Sequence, residues 1–199
     1  CRGTDITKSD FTLYLPRALG FLEYLYLAGM IYLQIGAYDE ALHMWETAVS
    51  LPLEPVQAHQ CASLKRAILL RLLRDGSIPS AETFFPFLDA VACSNYKREC
   101  NVYFEFAQAY GAYVLDSQNL LCDLVENSKL GFEGDNTLGL VEQCLQARPK
   151  HAIWSLARVY KTFPLSHLTV FLGLESHEAT FYHLQELSAD ETIQYEVTE

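Results

Sequence analysis

A chain of 199 residues that is 50% hydrophobic and 20% charged has ample material for one well-cored domain, or for a repeat array with a small terminal module, and it excludes disorder. Its formal net charge of -11 repels polyanions at long range, so nucleic acid and acidic membranes are poor partners and protein surfaces are better ones. The most membrane-like stretch, Tyr24 to Tyr38, is interrupted by Gln34, preceded by Glu23 and shorter than the ~20 apolar residues a spanning helix needs, so it reads as a buried helix.

Helical periodicity dominates to about residue 163. A first helix is predicted from around Arg17 to Ile35, with a turn at Gly36-Ala37 and a second helix from Tyr38 to Ser50, where Asp39 and Glu40 suit its positive N-terminal end. Across these two, Gly29, Tyr32, Gly36, Ala41, Trp45 and Ala48 fall at the spacing of a tetratricopeptide unit. Small residues let two antiparallel helices approach, and Tyr32 and Trp45 fill the space beside the contact. Such a unit cannot bury its apolar face alone, so it needs stacked neighbours and points to a scaffold.

Pro52 and Pro55 end the second helix. A third is predicted over about Val56 to Arg74, with Cys61, Leu64, Ile68 and Leu72 on its apolar side and Lys65, Arg66, Arg71 and Arg74 between them. This basic cluster reads as a solvated face in preference to a docking site for an acidic partner. After Gly76 and Pro79 the first signature recurs in degenerate form as Gly76, Ala81 and Phe85, forty residues beyond Gly36, Ala41 and Trp45. Ala107 and Tyr110, within an apolar stripe of Val102, Phe104, Phe106 and Val114, give a fainter third echo. Further helices are expected over Ser117 to Lys129, Thr137 to Gln146 and Lys150 to Thr162, separated by a loop at Gly131 to Asp135 and by Pro149.

The tail changes character. Leu165, Leu168, Phe171 and Leu172 suit a short helix ending at Gly173, and Ala179, Tyr182, Leu184 and Leu187 suit another after a Ser176 cap. Ile193, Tyr195 and Val197 then alternate with polar residues at the period of a half-buried strand. Helix, helix, strand is the beginning of a winged-helix module. The fold class expected is therefore all-α, a right-handed tetratricopeptide-like solenoid over 1–163 followed by a partly truncated winged helix over 164–199. A start at Cys1 instead of Met and an end inside a strand-like run point to a piece of a longer chain.

A tetratricopeptide-like array running without a linker into a winged helix resembles the PCI family, whose members occur in the signalosome, the proteasome lid and translation initiation factor three. Gly29 to Tyr32, Ala41 to Ala48 and above all Asp135 to Leu145 carry the resemblance and favour its signalosome branch. At the turn into the wing, Glu191 stands where the family has Gly, between matching Asp190 and Ile193. The resemblance implies a non-catalytic subunit of a complex whose metalloprotease subunit removes a ubiquitin-like modifier from cullins, in cytoplasm and nucleus. It also implies that winged-helix edges of neighbouring subunits align, so Ile193, Tyr195 and Val197 form a candidate subunit interface beside the helical array. A proteasome-lid or initiation-factor subunit is the near alternative, and a free-standing tetratricopeptide peptide receptor the distant one.

The residues offer little chemistry of their own. From Thr162 to Glu199 there is no Lys or Arg against seven carboxylates, which removes the phosphate contacts a DNA-binding winged helix needs. Cys93 and Cys100 lack a CxxC partner, and His177 and His183 lie six apart on different helix faces, so no metal site is expected. There is no GxSxG elbow, adjacent Ser166 and His167 cannot face each other within a helix, and Pro149 separates Cys144 from His151. Gly131 to Gly134 lacks the Lys and hydroxyl of a phosphate loop and reads as a turn. Cys61, Cys122 and Cys144 sit among apolar helical residues and read as reduced core thiols. No enzyme activity, cofactor or metal is expected.

Overall fold

In a computed structural model of the chain, residues 8–53, 55–77, 90–112, 117–173 and 176–189 are described. Among them the secondary structure is entirely helical: α1 Lys8–Gln34, α2 Tyr38–Ser50, α3 Ala58–Asp75, α4 Ala90–Glu99, α5 Asn101–Gly111, α6 Ser117–Gly134, α7 Leu138–Ala157, α8 Leu165–Leu172 and α9 His177–Ala189. The expected strand with Ile193, Tyr195 and Val197 lies outside the described residues, as do Ala81, Phe85 and Val114. The chain divides into two compact units, Cys1–Ala67 with Ser80–Asn101, and Ile68–Pro79 with Val102–Glu199.

In the first unit α1 begins well before the expected Arg17 and runs through Pro16. Proline's φ is compatible with a helix, but inside one it removes a backbone donor and crowds the carbonyl four residues earlier. α1 and α2 pack closely, with Leu22 and Leu25 meeting Ala48 above Met44, Leu51 and Leu53. Buried Gln60 on α3 reaches the Ala48 and Leu51 carbonyls at 3.3 and 2.9 Å, closing the end of α2. Tyr96 on α4 is buried and donates its hydroxyl to the Val49 carbonyl at 3.2 Å.

In the second unit two sequence expectations are corrected. The Gly131 to Gly134 stretch is the last turn of α6, not a loop, because Phe132 is fully buried and stacks edge-on against Tyr103 at 5.2 Å and Phe106 at 6.1 Å. Pro149 does not divide two helices but lies inside α7. Flanking it, buried Arg148 donates to the Tyr110 carbonyl at 3.1 Å and the Ala112 carbonyl at 2.9 Å, while the His151 ring bonds the Leu73 carbonyl at 2.9 Å. These contacts hold both sides of the proline in one helical register, outweighing a penalty of roughly 3 kcal/mol. In α5 the buried face is Tyr103, Phe106, Ala107 and Tyr110, at true helical spacing. Val102, assigned to the apolar stripe from sequence, is exposed.

α8 ends as expected at Gly173, whose φ of 67° is the left-handed conformation glycine tolerates. The Ser176 hydroxyl accepts the Ala179 backbone N–H at 3.2 Å, capping α9. Leu168, Leu172, Leu184 and Leu187 on these helices bury against Ala152 and Ile153 near the end of α7. A polar bridge joins α8 to α9, since Thr169 Oγ1 lies 3.0 Å from Thr180 Oγ1 and 2.9 Å from His177 Nδ1.

Candidate interaction surfaces

The α1–α2 hairpin gathers all six signature residues. At Gly29 the helices touch: a Cβ there would fall 2.3 Å from Trp45 Nε1, so glycine alone admits the indole. Trp45 is fully buried, and its Nε1 donates to the Tyr26 carbonyl at 3.2 Å. Ala41 and Ala48 are buried on the same side of α2, and Tyr32 is half-buried. Gly36 has φ 77°, and the Ala37 N–H returns to the Tyr32 carbonyl at 2.9 Å while the Gly36 N–H reaches Leu33 at 3.1 Å. This is a left-handed helix stop that satisfies the last carbonyls of α1.

One hundred positions later the same turn recurs without glycine. Thr137 N–H bonds the Phe132 carbonyl at 2.9 Å, Asn136 N–H bonds Glu133 at 3.0 Å, and Asn136 takes φ 53°. Asn is the residue after Gly best able to adopt that conformation. The sequence reading missed this unit because Lys129, Asn136 and Leu145 stand where Gly29, Gly36 and Trp45 stand in the first. Without the small residue and the indole, α6 and α7 approach each other less closely than α1 and α2. Tyr103 covers the second turn: its hydroxyl donates to Asp135 at 2.8 Å and lies 2.7 Å from Thr137 Oγ1.

The segment from Tyr24 to Tyr38 was expected to be a buried helix, and that is corrected. Leu22, Leu25 and Gly29 face inward, but Phe21, Tyr24, Leu27, Ile31 and Ile35 form an exposed stripe at spacings of three and four. Ile35 is 70% exposed. A helix apolar on both faces has a second surface to bury.

The basic cluster of α3 is not a uniform solvated face. Arg66 is buried, with its guanidinium 5.2 Å over the Tyr26 ring and bonded to the Ala62 carbonyl at 3.1 Å. Arg74 clasps neighbouring Asp75 through Nε and Nη2, each at 2.7 Å.

Cys144 and His151 share one face of the unbroken α7, which sequence reading denied them. Both are anchors for the last turns of α3, Cys144 Sγ to the Leu69 carbonyl at 3.3 Å and His151 to Leu73. Burial pushes the Cys144 thiol up to about 12, so it stays protonated at neutral pH and is a poor nucleophile. The Tyr96 hydroxyl is likewise held well above its ordinary range, chiefly by burial and then by the neighbouring Cys61, Cys100 and Cys93. None of Cys61, Cys93, Cys100, Cys122 and Cys144 is in a disulfide, and Cys122 is exposed instead of lying in the core. Among the described residues no three His, Cys, Asp or Glu side chains come together to hold a metal, and no helix is long and apolar enough to cross a membrane.

A family model described as COP9 signalosome complex subunit 3, N-terminal helical repeats, matches residues 4–85. COP9 signalosome complex subunit 3 of Arabidopsis thaliana is 24% identical over 182 residues, covering 92% of this chain and 41% of the relative. The subunit of the same description from Drosophila melanogaster is 26% identical over 172 residues, covering 86% and 37%. The chain thus spans about two-fifths of the length of these curated relatives.

Proposed function

We propose that this chain, similar along most of its length to COP9 signalosome subunit 3, is a non-catalytic scaffold subunit of a signalosome, supporting cullin deneddylation performed by a metalloprotease elsewhere in the complex. The observation that carries the reading is α1, which buries one apolar face against α2 and leaves Phe21, Tyr24, Leu27, Ile31 and Ile35 to solvent. Each Å² of that stripe covered by a neighbouring subunit contributes about 25 cal/mol before ordering costs. Cytoplasm and nucleus are the compartments where such a complex would act.

The array over 1–163 and a winged helix over 164–199 remain the proposed division of labour. What supports the second part is the pair α8 and α9, joined by a glycine stop and a serine cap and cored by leucines. A strand through Ile193, Tyr195 and Val197 would offer unpaired backbone groups to the sheet of an adjoining subunit.

Affinity purification of the chain from cells tests both parts. Recovery of a multi-subunit assembly with deneddylating activity is expected, and Ile193→Lys with Tyr195→Lys should weaken contact between adjoining subunits while the helices stay folded. Recovery as a monomer would favour a free-standing peptide receptor instead. Deneddylation by the isolated chain would overturn the scaffold assignment.

A further inference from the structure

Between Gln143 and Leu174 the chain carries Arg148, Lys150, Arg158 and Lys161 and not one carboxylate, although the whole protein has a formal charge of -11. Arg148 is spent inside the fold on two carbonyls. Arg158 and Lys161 concentrate positive charge where α7 gives way to α8, and there the surface is aromatic. Trp154 on the last turns of α7 is exposed, and the Arg158 guanidinium lies over its ring at 5.1 Å. Val159 is 73% exposed, and Tyr160 and Phe163 are exposed with ring centroids 5.5 Å apart. Arg158 and Lys161 are also exposed and form no ion pair with any described residue.

Large apolar side chains left in water beside cations held by no ion pair are what a partner-binding patch presents, since Trp, Tyr and Arg carry most interface energy. We propose that Trp154, Arg158, Tyr160, Lys161 and Phe163 form a docking surface for an acidic protein segment bearing aromatic or aliphatic side chains. Carboxylates of the segment pair with Arg158 and Lys161, the guanidinium doing so bidentately while it keeps its stack on Trp154. An apolar side chain of the segment covers Tyr160 and Phe163. A nucleic acid fits less well, because two cations on a strongly acidic chain neutralise too few phosphates. The surface stands whether or not the chain joins a larger assembly.

The test uses the full chain and a labelled synthetic peptide alternating glutamate with phenylalanine, followed by anisotropy and by the emission of exposed Trp154. Saturable binding is expected, with a shift in Trp154 emission that is lost in Trp154→Phe. Binding should weaken about tenfold in the Arg158→Glu/Lys161→Glu variant and fall as salt rises toward a Debye length of about 3 Å. Both substitutions are at exposed positions, and helical content by circular dichroism checks the fold. Should the variant misfold, the salt series on the unaltered chain decides. Absence of saturable binding, insensitivity to salt and to the charge reversal, equal binding of the lysine-for-glutamate peptide, or tighter binding of polyuridylate would each overturn the proposal. None of these outcomes bears on recovery of a signalosome in the purification above.

Discussion

At the residue scale the decisive contact is Gly29 beneath Trp45. Alanine there would gain about 1 kcal/mol of helix propensity but place a methyl inside a fully buried indole, and overpacking of that kind costs about 1–3 kcal/mol. The clash involves a ring held by packing and by its bond to the Tyr26 carbonyl, so it should prevail. Gly29→Ala is expected to lower the urea midpoint without changing the slope. Asn136 allows the complementary experiment, because its φ of 53° costs a Cβ-bearing residue about 1–2 kcal/mol. Asn136→Gly should leave stability equal or higher, and Asn136→Val should lower it by about that amount in the same assay.

At the scale of elements, α7 is held by the groups it inserts into its neighbours. Arg148 satisfies the Tyr110 and Ala112 carbonyls at the end of α5, where a cation also complements the helix dipole. Arg148→Met keeps much of the apolar stem and strands those carbonyls, so a loss of about 2–3 kcal/mol in denaturant unfolding is expected. Cys144 gives α7 a pH signature. Its folded pKa of about 12 exceeds the ordinary 9.0, so the native state holds the proton more tightly. Its contribution is therefore complete below about pH 9 and is lost as pH climbs from 9 toward 12, with a slope of about -1.4 kcal/mol per pH unit. Tyr96 acts in the same direction at higher pH. Cys144→Ala should flatten the first part of this alkaline decline, measured by thermal melts across the pH range.

For the whole molecule, the exposed stripe of α1 is where the proposed assembly should fail first. Replacing Leu27 and Ile31 by Glu places charge on side chains that contact water in the free chain, so folding should be unaffected within about 0.5 kcal/mol. Burying the same charges against a neighbouring subunit would cost several kcal/mol, and recovery of the assembly on affinity purification should collapse. Unchanged recovery would separate α1 from the proposed scaffold role.

Legibility followed the physics. The α1–α2 hairpin was readable because close helix approach admits few residues at Gly29, Gly36 and Trp45. Its counterpart at α6–α7 was not, because Asn can replace Gly in the stop and a looser pairing needs neither the glycine nor the indole. Pro149 and the glycines at 131 and 134 looked like breaks because local preference is all that a string of letters displays, whereas Phe132, Arg148 and His151 recruit partners distant in sequence to keep those turns helical.

Sequence by itself determined that the described residues are helical, where α2 starts and stops, that α8 ends at Gly173 and α9 begins after Ser176, and the likeness to a signalosome subunit, since caps, stops and periodicity are local properties of neighbouring residues. Tertiary structure alone decided which side of α1 faces water, that Arg66 and Arg148 are interior and that the surface around Trp154 is open, because exposure depends on what other segments bring to the same place.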